Sequence, residues 1–216
     1  MVTHKSFRRL FMTGVCSLAV TFAVARAGAG TDTFKESAEL EKRTARTSKD
    51  VDKYASQLDK TEQTLSSFSQ APSKDIRKRY ESFSKEVNKL EDAQKHTTSD
   101  IEEMKSTGTE YFSFWDTSIA QMSDADLKQA STERRSKVMK DHDDLTAALS
   151  DIGSQLQPFM SNLHDLERFL ETDLSPANVG KAGGMIGKSQ ADALALKEKI
   201  SGVQTTLRQF LSEAPK

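Results

Sequence analysis

Apolar residues recur every three to four positions from about residue 34 to residue 211, and no run alternates as a half-buried strand would. The pattern predicts four helices, at about 34–68, 73–122, 124–172 and 176–211. The first carries Leu40, Val51, Tyr54, Leu58, Leu65 and Phe68 on one stripe, and its weakly apolar first half is expected to fray. Pro72 closes it with a turn, because proline has no N–H to extend a helix and disfavours helical backbone at the residue before it. The second has the most regular heptad, from Ile76, Tyr80, Phe83, Val87 and Leu90 through Ile101, Met104 and Gly108 to Tyr111 and Trp115. At 1.5 Å per residue it would be roughly 70 Å long, and a rod of that length needs partners along all of it.

Ser123 or Asp124 can cap the third helix, whose seam runs through Leu127, Val138, His142, Leu145, Leu149, Ile152, Leu156, Phe159, Leu163, Leu166 and Leu170. Pro158 lies inside this run and is expected to kink or break it. Ser175 as N-cap and Pro176 at the first helical position start the fourth, with Val179, Ala182, Ile186, Ala193, Leu196, Ile200, Val203, Leu207 and Phe210 in register. Short turns between long helices imply antiparallel neighbours. The expected fold is therefore all-α, a single elongated antiparallel bundle over 28–216 with coiled-coil packing. The polar seam residues Gln94, Thr97, Arg135 and His142 weaken their layers but help to fix register.

The first 27 residues change the expected compartment. A basic start (Lys5, Arg8, Arg9), an apolar stretch from Leu10 to about Val24 and Ala25-Arg26-Ala27 read as a secretory signal, cleaved after Ala27 or, second, after Ala29. The stretch is shorter than the roughly 20 residues of a membrane-spanning helix. Phe7-Arg8-Arg9-Leu10-Phe11-Met12 resembles a twin-arginine signal without the usual Ser or Thr before the arginines, so unfolded export is favoured. The periplasm is the expected location, and membrane association is not indicated.

Cys16 is the one cysteine, so the exported chain has no disulfide, thiolate metal site or cysteine nucleophile. Removing Lys5, Arg8, Arg9 and Arg26 from the 31 basic residues leaves 27 against 32 acids, a net charge of −5. That balance argues against nucleic-acid binding, which depends on clustered cations.

Ala182-Gly183-Gly184-Met185-Ile186-Gly187-Lys188-Ser189 matches a relaxed phosphate-loop pattern. Such a loop needs a strand to deliver it and N–H groups free to surround a phosphate, whereas helical register here turns Gly184, Gly187 and Lys188 outward. No nucleotide is expected. Gly180, Gly183, Gly184 and Gly187 each cost about 1 kcal/mol in a helix relative to alanine, so the segment is expected to be flexible.

Tyr111-Phe112-Ser113-Phe114-Trp115 is the densest aromatic run. Tyr111 and Trp115 fall on the seam and Phe112 and Phe114 flank it, which makes either a broad core or an interaction patch of Phe112, Phe114 and Trp115. His96, His142 and His164 lack the Glu-x-x-His pairs of di-metal bundles, and the carboxylates Glu102, Glu103, Asp141, Asp143 and Asp144 read as solvated helix faces. No metal or other cofactor is expected, and no nucleophile is paired with a base.

Phe114-Trp115-Asp116, the stretch from Met122 to Leu127, Pro158-Phe159 and the stretch from Leu170 to Asn178 together resemble a bacterial family of exported proteins catalogued as a domain of unknown function, with predicted coiled-coil helices. The resemblance covers most of the exported chain and is strongest from Trp115 to Asn178. Many members look like lipoproteins, and this chain departs from them in the poor lipobox Thr13-Gly14-Val15-Cys16. The resemblance implies a helical fold and export, and brings no catalytic residues. The expectation is a non-catalytic envelope scaffold or protein–protein interaction module, self-associating or binding another envelope protein. The alternative is an adaptor or carrier that holds a lipid, cell-wall fragment or partner helix at the Trp115 end.

Overall fold

The computed structural model describes residues 25–69 and 75–213, with side chains within 33–68 and 75–213. The expectations for residues 1–24, including the export signal and Cys16, and for the Pro72 turn lie outside the described residues.

Five helices follow one another: α1 (Ala25–Ser69), α2 (Ile76–Ala120), α3 (Ala125–Thr172), the short α4 (Pro176–Lys181) and α5 (Gly183–Glu213). The long helices meet as a ring, α1 with α2, α2 with α3, α3 with α5 and α5 with α1. Side-chain pairs show every neighbour to be antiparallel. Between α1 and α2, Thr33 meets Ser118 and Arg79 reaches Ser67. Between α3 and α5, Lys137 meets Glu213 while Asn162 meets Asp192. Between α1 and α5, Asp52 meets Gln204 and Ser66 meets Gln190. The result is an all-α antiparallel bundle about 68 Å long, taking 45 residues of α2 at 1.5 Å each.

One hydrophobic cluster runs its length, with Leu58, Leu65, Phe83, Leu90, Met104, Leu145, Leu163, Leu166, Leu170 and Leu207 sealed from solvent. Each such side chain contributes about 1.5–3 kcal/mol. An internal void beside Tyr54, Gln94, Ile152 and Ile200 measures about 30 Å³. No helix among the described residues is long and apolar enough to cross a membrane.

α1 and α2 approach each other more closely than any other pair. Threonines make this approach feasible. Thr44 and Thr61 donate to their own helix one turn back, which satisfies a buried hydroxyl without widening the gap. Thr47 and Thr61 also reach across, to the main-chain carbonyls of Asp100 and Glu86, both at 3.2 Å. Arg46 grips the buried Asp100 carboxylate through Nε and a terminal nitrogen, each at 3.0 Å. The weakly apolar first half of α1 is therefore helical throughout rather than frayed, because hydroxyls and an ion pair take the place of apolar contacts.

Several expectations are corrected. α1 begins at Ala25 rather than residue 34, and α2 starts at Ile76 and ends at Ala120. α3 passes through Pro158 unbroken. Pro158 and Ser154, whose carbonyl loses its donor, both face solvent, where water can serve that carbonyl, while Leu156, Phe159, Met160 and Leu163 hold the other face down. Leu127, placed on the seam by its spacing, is 67% exposed. The described part of α5 stops at Glu213, opposite Arg134 and Lys137, so the first turns of α3 overhang it. The fourth helix is two helices, broken at Ala182, and the second runs to Glu213 rather than residue 211.

Candidate functional site

The glycine segment is built as helix. Ser175 caps α4 by accepting from Asn178 N–H. Ala182 N–H shares the carbonyls of Asn178 and Val179 at 3.2 and 3.1 Å, and Ala182 returns a carbonyl to Ile186 N–H at 2.9 Å. This is a tightened turn of one residue. Ala182, Ile186 and Ser189 are buried, whereas Gly180, Gly183, Gly184, Gly187 and Lys188 face solvent. Lys188 pairs with Asp192 at 2.8 Å. Backbone N–H groups committed to helix bonds cannot cradle a phosphate, so the geometry of a phosphate loop is not formed.

The aromatic run lies at the opposite end of the bundle, where the start of α1, the end of α2, the start of α3 and the end of α5 converge. Phe112, expected to flank the seam, is core at 5% exposure. It packs at 5.2 Å and a tilt of 54° on Tyr111 and edge-on at 5.5 Å to His142, which in turn packs at 6.1 Å on Phe210. The guanidinium of Arg135 lies 5.5 Å above the Phe112 ring, within cation–π range. Trp115 is half-buried, and its indole N–H donates to Ser131 at 3.0 Å. Of the three candidate patch residues only Phe114, at 38%, presents much surface. Phe34 (71%) and Leu127 join it at this end. Spacing did not single these two out, since period alone gives direction and not where a partner helix stops.

His142 is the most constrained polar group. Its ring lies against Gly108, the one seam position in α2 without a side chain, and among the described residues neither ring nitrogen has a hydrogen-bond partner of good geometry. The Asp143 carboxylate, 3.6 Å from Nδ1, is too distant and exposed to supply one. Burial holds the imidazole below its usual pKa, against smaller upward pulls from Asp143 and the Met104 main chain. Above the unfolded value near 6.5 both states are neutral and the bundle keeps its full stability. As pH falls below that value the unfolded chain binds the proton first. Stability is then lost at up to about 1.4 kcal/mol per pH unit until the lower folded pKa is reached. Urea titrations at pH 7.5 and pH 5 should show this loss, and His142→Phe should flatten it. An unchanged slope in that variant would show that the carboxylates alone set the acid response.

Two further charged groupings were not read from spacing, because they join distant residues. Asp100 is raised by burial and by the neighbouring Asp50 carboxylate, while Asp50 is lowered through its hydrogen bond to Asp100 and through Lys53. Arg46 satisfies the pair, which makes it a lock between helices. His164 bonds Glu167 at 2.9 Å, with Glu91 at 3.8 Å on the other ring nitrogen, and His96 is exposed on α2. Among the described residues no group of three or more His, Cys, Asp or Glu is placed to hold a metal ion.

No curated protein and no solved structure matches the chain. A family model does match, over residues 36–213, from within α1 to the end of α5. The chain belongs to the family described as Protein of unknown function (DUF2959).

Proposed function

We propose that the protein is a non-catalytic, exported helical scaffold of the bacterial cell envelope, working in the periplasm as a protein–protein interaction module. The observation that carries this reading is the apolar end of the bundle. Phe34, Phe114 and Leu127 come from three different helices and stay exposed there, over a filled aromatic core. Large apolar side chains left exposed at the same end of a bundle support a docking role for that end. The basic, apolar, small-residue order of residues 1–27 supports export.

A carrier of lipid or cell-wall fragments finds less support. A void of about 30 Å³ has room for about one water and not for a lipid chain. Phe112 and Trp115 are already engaged within the bundle.

A photo-crosslinking side chain at Leu127 should give a defined protein adduct in the native envelope. The same group at Leu194, an exposed leucine on α5 well away from this end, should give none. Phe34→Asp with Phe114→Asp should abolish the Leu127 adduct, and its mass separates a second copy of the chain from another protein. Equal adducts at both positions, or an adduct that survives the double change, would overturn the proposal.

A further inference from the structure

The outward faces of α1 and α2, turned away from the bundle core, enclose an open groove of about 560 Å³ at the end opposite the apolar patch. Lys60 and Gln63 wall it from α1, and Lys78, Arg79, Ser82 and Lys85 from α2. Four cations stand in it against one carboxylate, Glu86. Glu86 is engaged by Gln57 and Lys89 at 2.7 Å each and also feels the charge of Lys60, and one carboxylate leaves the groove with an excess of cations.

Among the described residues two of these cations lack the local ion pair that many surface lysines make. Elsewhere lysines such as Lys95, Lys105, Lys140 and Lys188 close on a carboxylate three or four residues away on their own helix. Lys60 and Lys85 have no ion pair, and Gln63 and Ser82 no hydrogen bond, among the described residues. Among the described residues Lys78 has the long 3.8 Å contact to Asp75 and no closer carboxylate. The Arg79 guanidinium is pinned by donating to the Ser67 carbonyl, which fixes its position in the groove. Positive charge, unused donors and a fixed guanidinium converge on one concavity in a chain that is otherwise balanced or acidic.

We propose that this groove binds a ligand carrying two or more phosphate groups. A single carboxylate would leave most of the cations unmatched, whereas a condensed phosphate or phosphorylated headgroup supplies several charged acceptors for ammonium, guanidinium, amide and hydroxyl donors at once. The site is separate from the apolar end, so it stands or falls independently of the scaffold reading.

Tripolyphosphate titrated into the full exported chain at low salt should bind, shift amide resonances on both walls between residues 60 and 86, and weaken as salt rises. Lys60→Gln with Lys85→Gln should lower the affinity by about tenfold or more, since it removes the two free ammonium groups. Lys60→Arg with Lys85→Arg should retain it, and Lys105→Gln with Lys140→Gln on other faces should leave it unchanged. Flotation with vesicles containing cardiolipin, whose headgroup carries two phosphates, against vesicles of phosphatidylcholine, separates a lipid headgroup from a soluble anion as the source. Vesicle binding that needs the anionic lipid and is lost in the double glutamine variant identifies the headgroup, and tripolyphosphate binding alone identifies the soluble anion. If neither ligand binds, if the shifts fall elsewhere, or if both glutamine pairs weaken binding equally, the proposal is overturned.

Discussion

Gly108→Ala is expected to destabilise the protein by about 1–3 kcal/mol, the usual cost of overpacking a filled core. A Cβ at this position would lie 2.3 Å from Nε2, 2.5 Å from Cε1 and 3.1 Å from Cδ2 of His142. Three ring atoms are met at once, so rotating the imidazole cannot clear the methyl group. Retreat is blocked by Phe112 on one side and Phe210 on the other. The midpoint of urea unfolding should fall with little change in its slope. Combining the change with His142→Ser should restore part of the loss, because the smaller side chain gives the methyl room, and a double-mutant cycle would report a coupling of opposite sign to the single effects. An unshifted midpoint for Gly108→Ala would mean that the helices separate at no cost and that the glycine–histidine contact carries no strain.

The four glycines near the start of the fourth predicted helix should behave in the opposite way. A Cβ built at Gly180, Gly183, Gly184 or Gly187 meets nothing within 4 Å, and none of the four adopts a backbone angle that excludes alanine. Their replacement by alanine removes conformational freedom from the unfolded chain and adds no clash. At about 0.5–1 kcal/mol per position, the quadruple variant should gain on the order of 2–4 kcal/mol, less whatever fraying at the helix start takes away. Thermal unfolding is the direct measurement. A lower midpoint would show that the segment needs glycine for a reason its packing does not reveal. A higher midpoint with loss of the envelope adduct would mean that softness here serves docking.

Much of the fold was legible because burial in a bundle imposes a period. The seam residues from Phe83 to Leu90 and from Leu145 to Leu170 are buried as their spacing requires. Asp124 and Ser175 cap the helices that they were expected to start. The misses concern quantities that period does not encode. Leu127 has the right angular position but lies beyond the described end of α5. Phe112 is core because the bundle is broad at that layer, with His142 and Phe210 arriving from two other helices. Asp100 is buried because Arg46, more than fifty residues earlier, reaches it from a neighbouring helix. Pro158 is tolerated because the carbonyl it deprives is on the wet side. The groove at Lys60 and Lys85 depends on how two helices lie side by side, which no single-helix pattern expresses.

The threonine-lined pair α1–α2 also decides how the rod would respond to a pull along its axis. Sliding one of these helices by a turn would break the Arg46 fork and strand the Thr47 and Thr61 hydroxyls from the opposite backbone together. α5 meets its neighbours through its non-directional apolar seam from Ile186 to Phe210, and its polar contacts include surface pairs such as Lys197–Asp59 and Lys199–Asp151, which water can replace at little cost. Shear along the rod would therefore fall on α5, with α1 and α2 acting as a rigid splint.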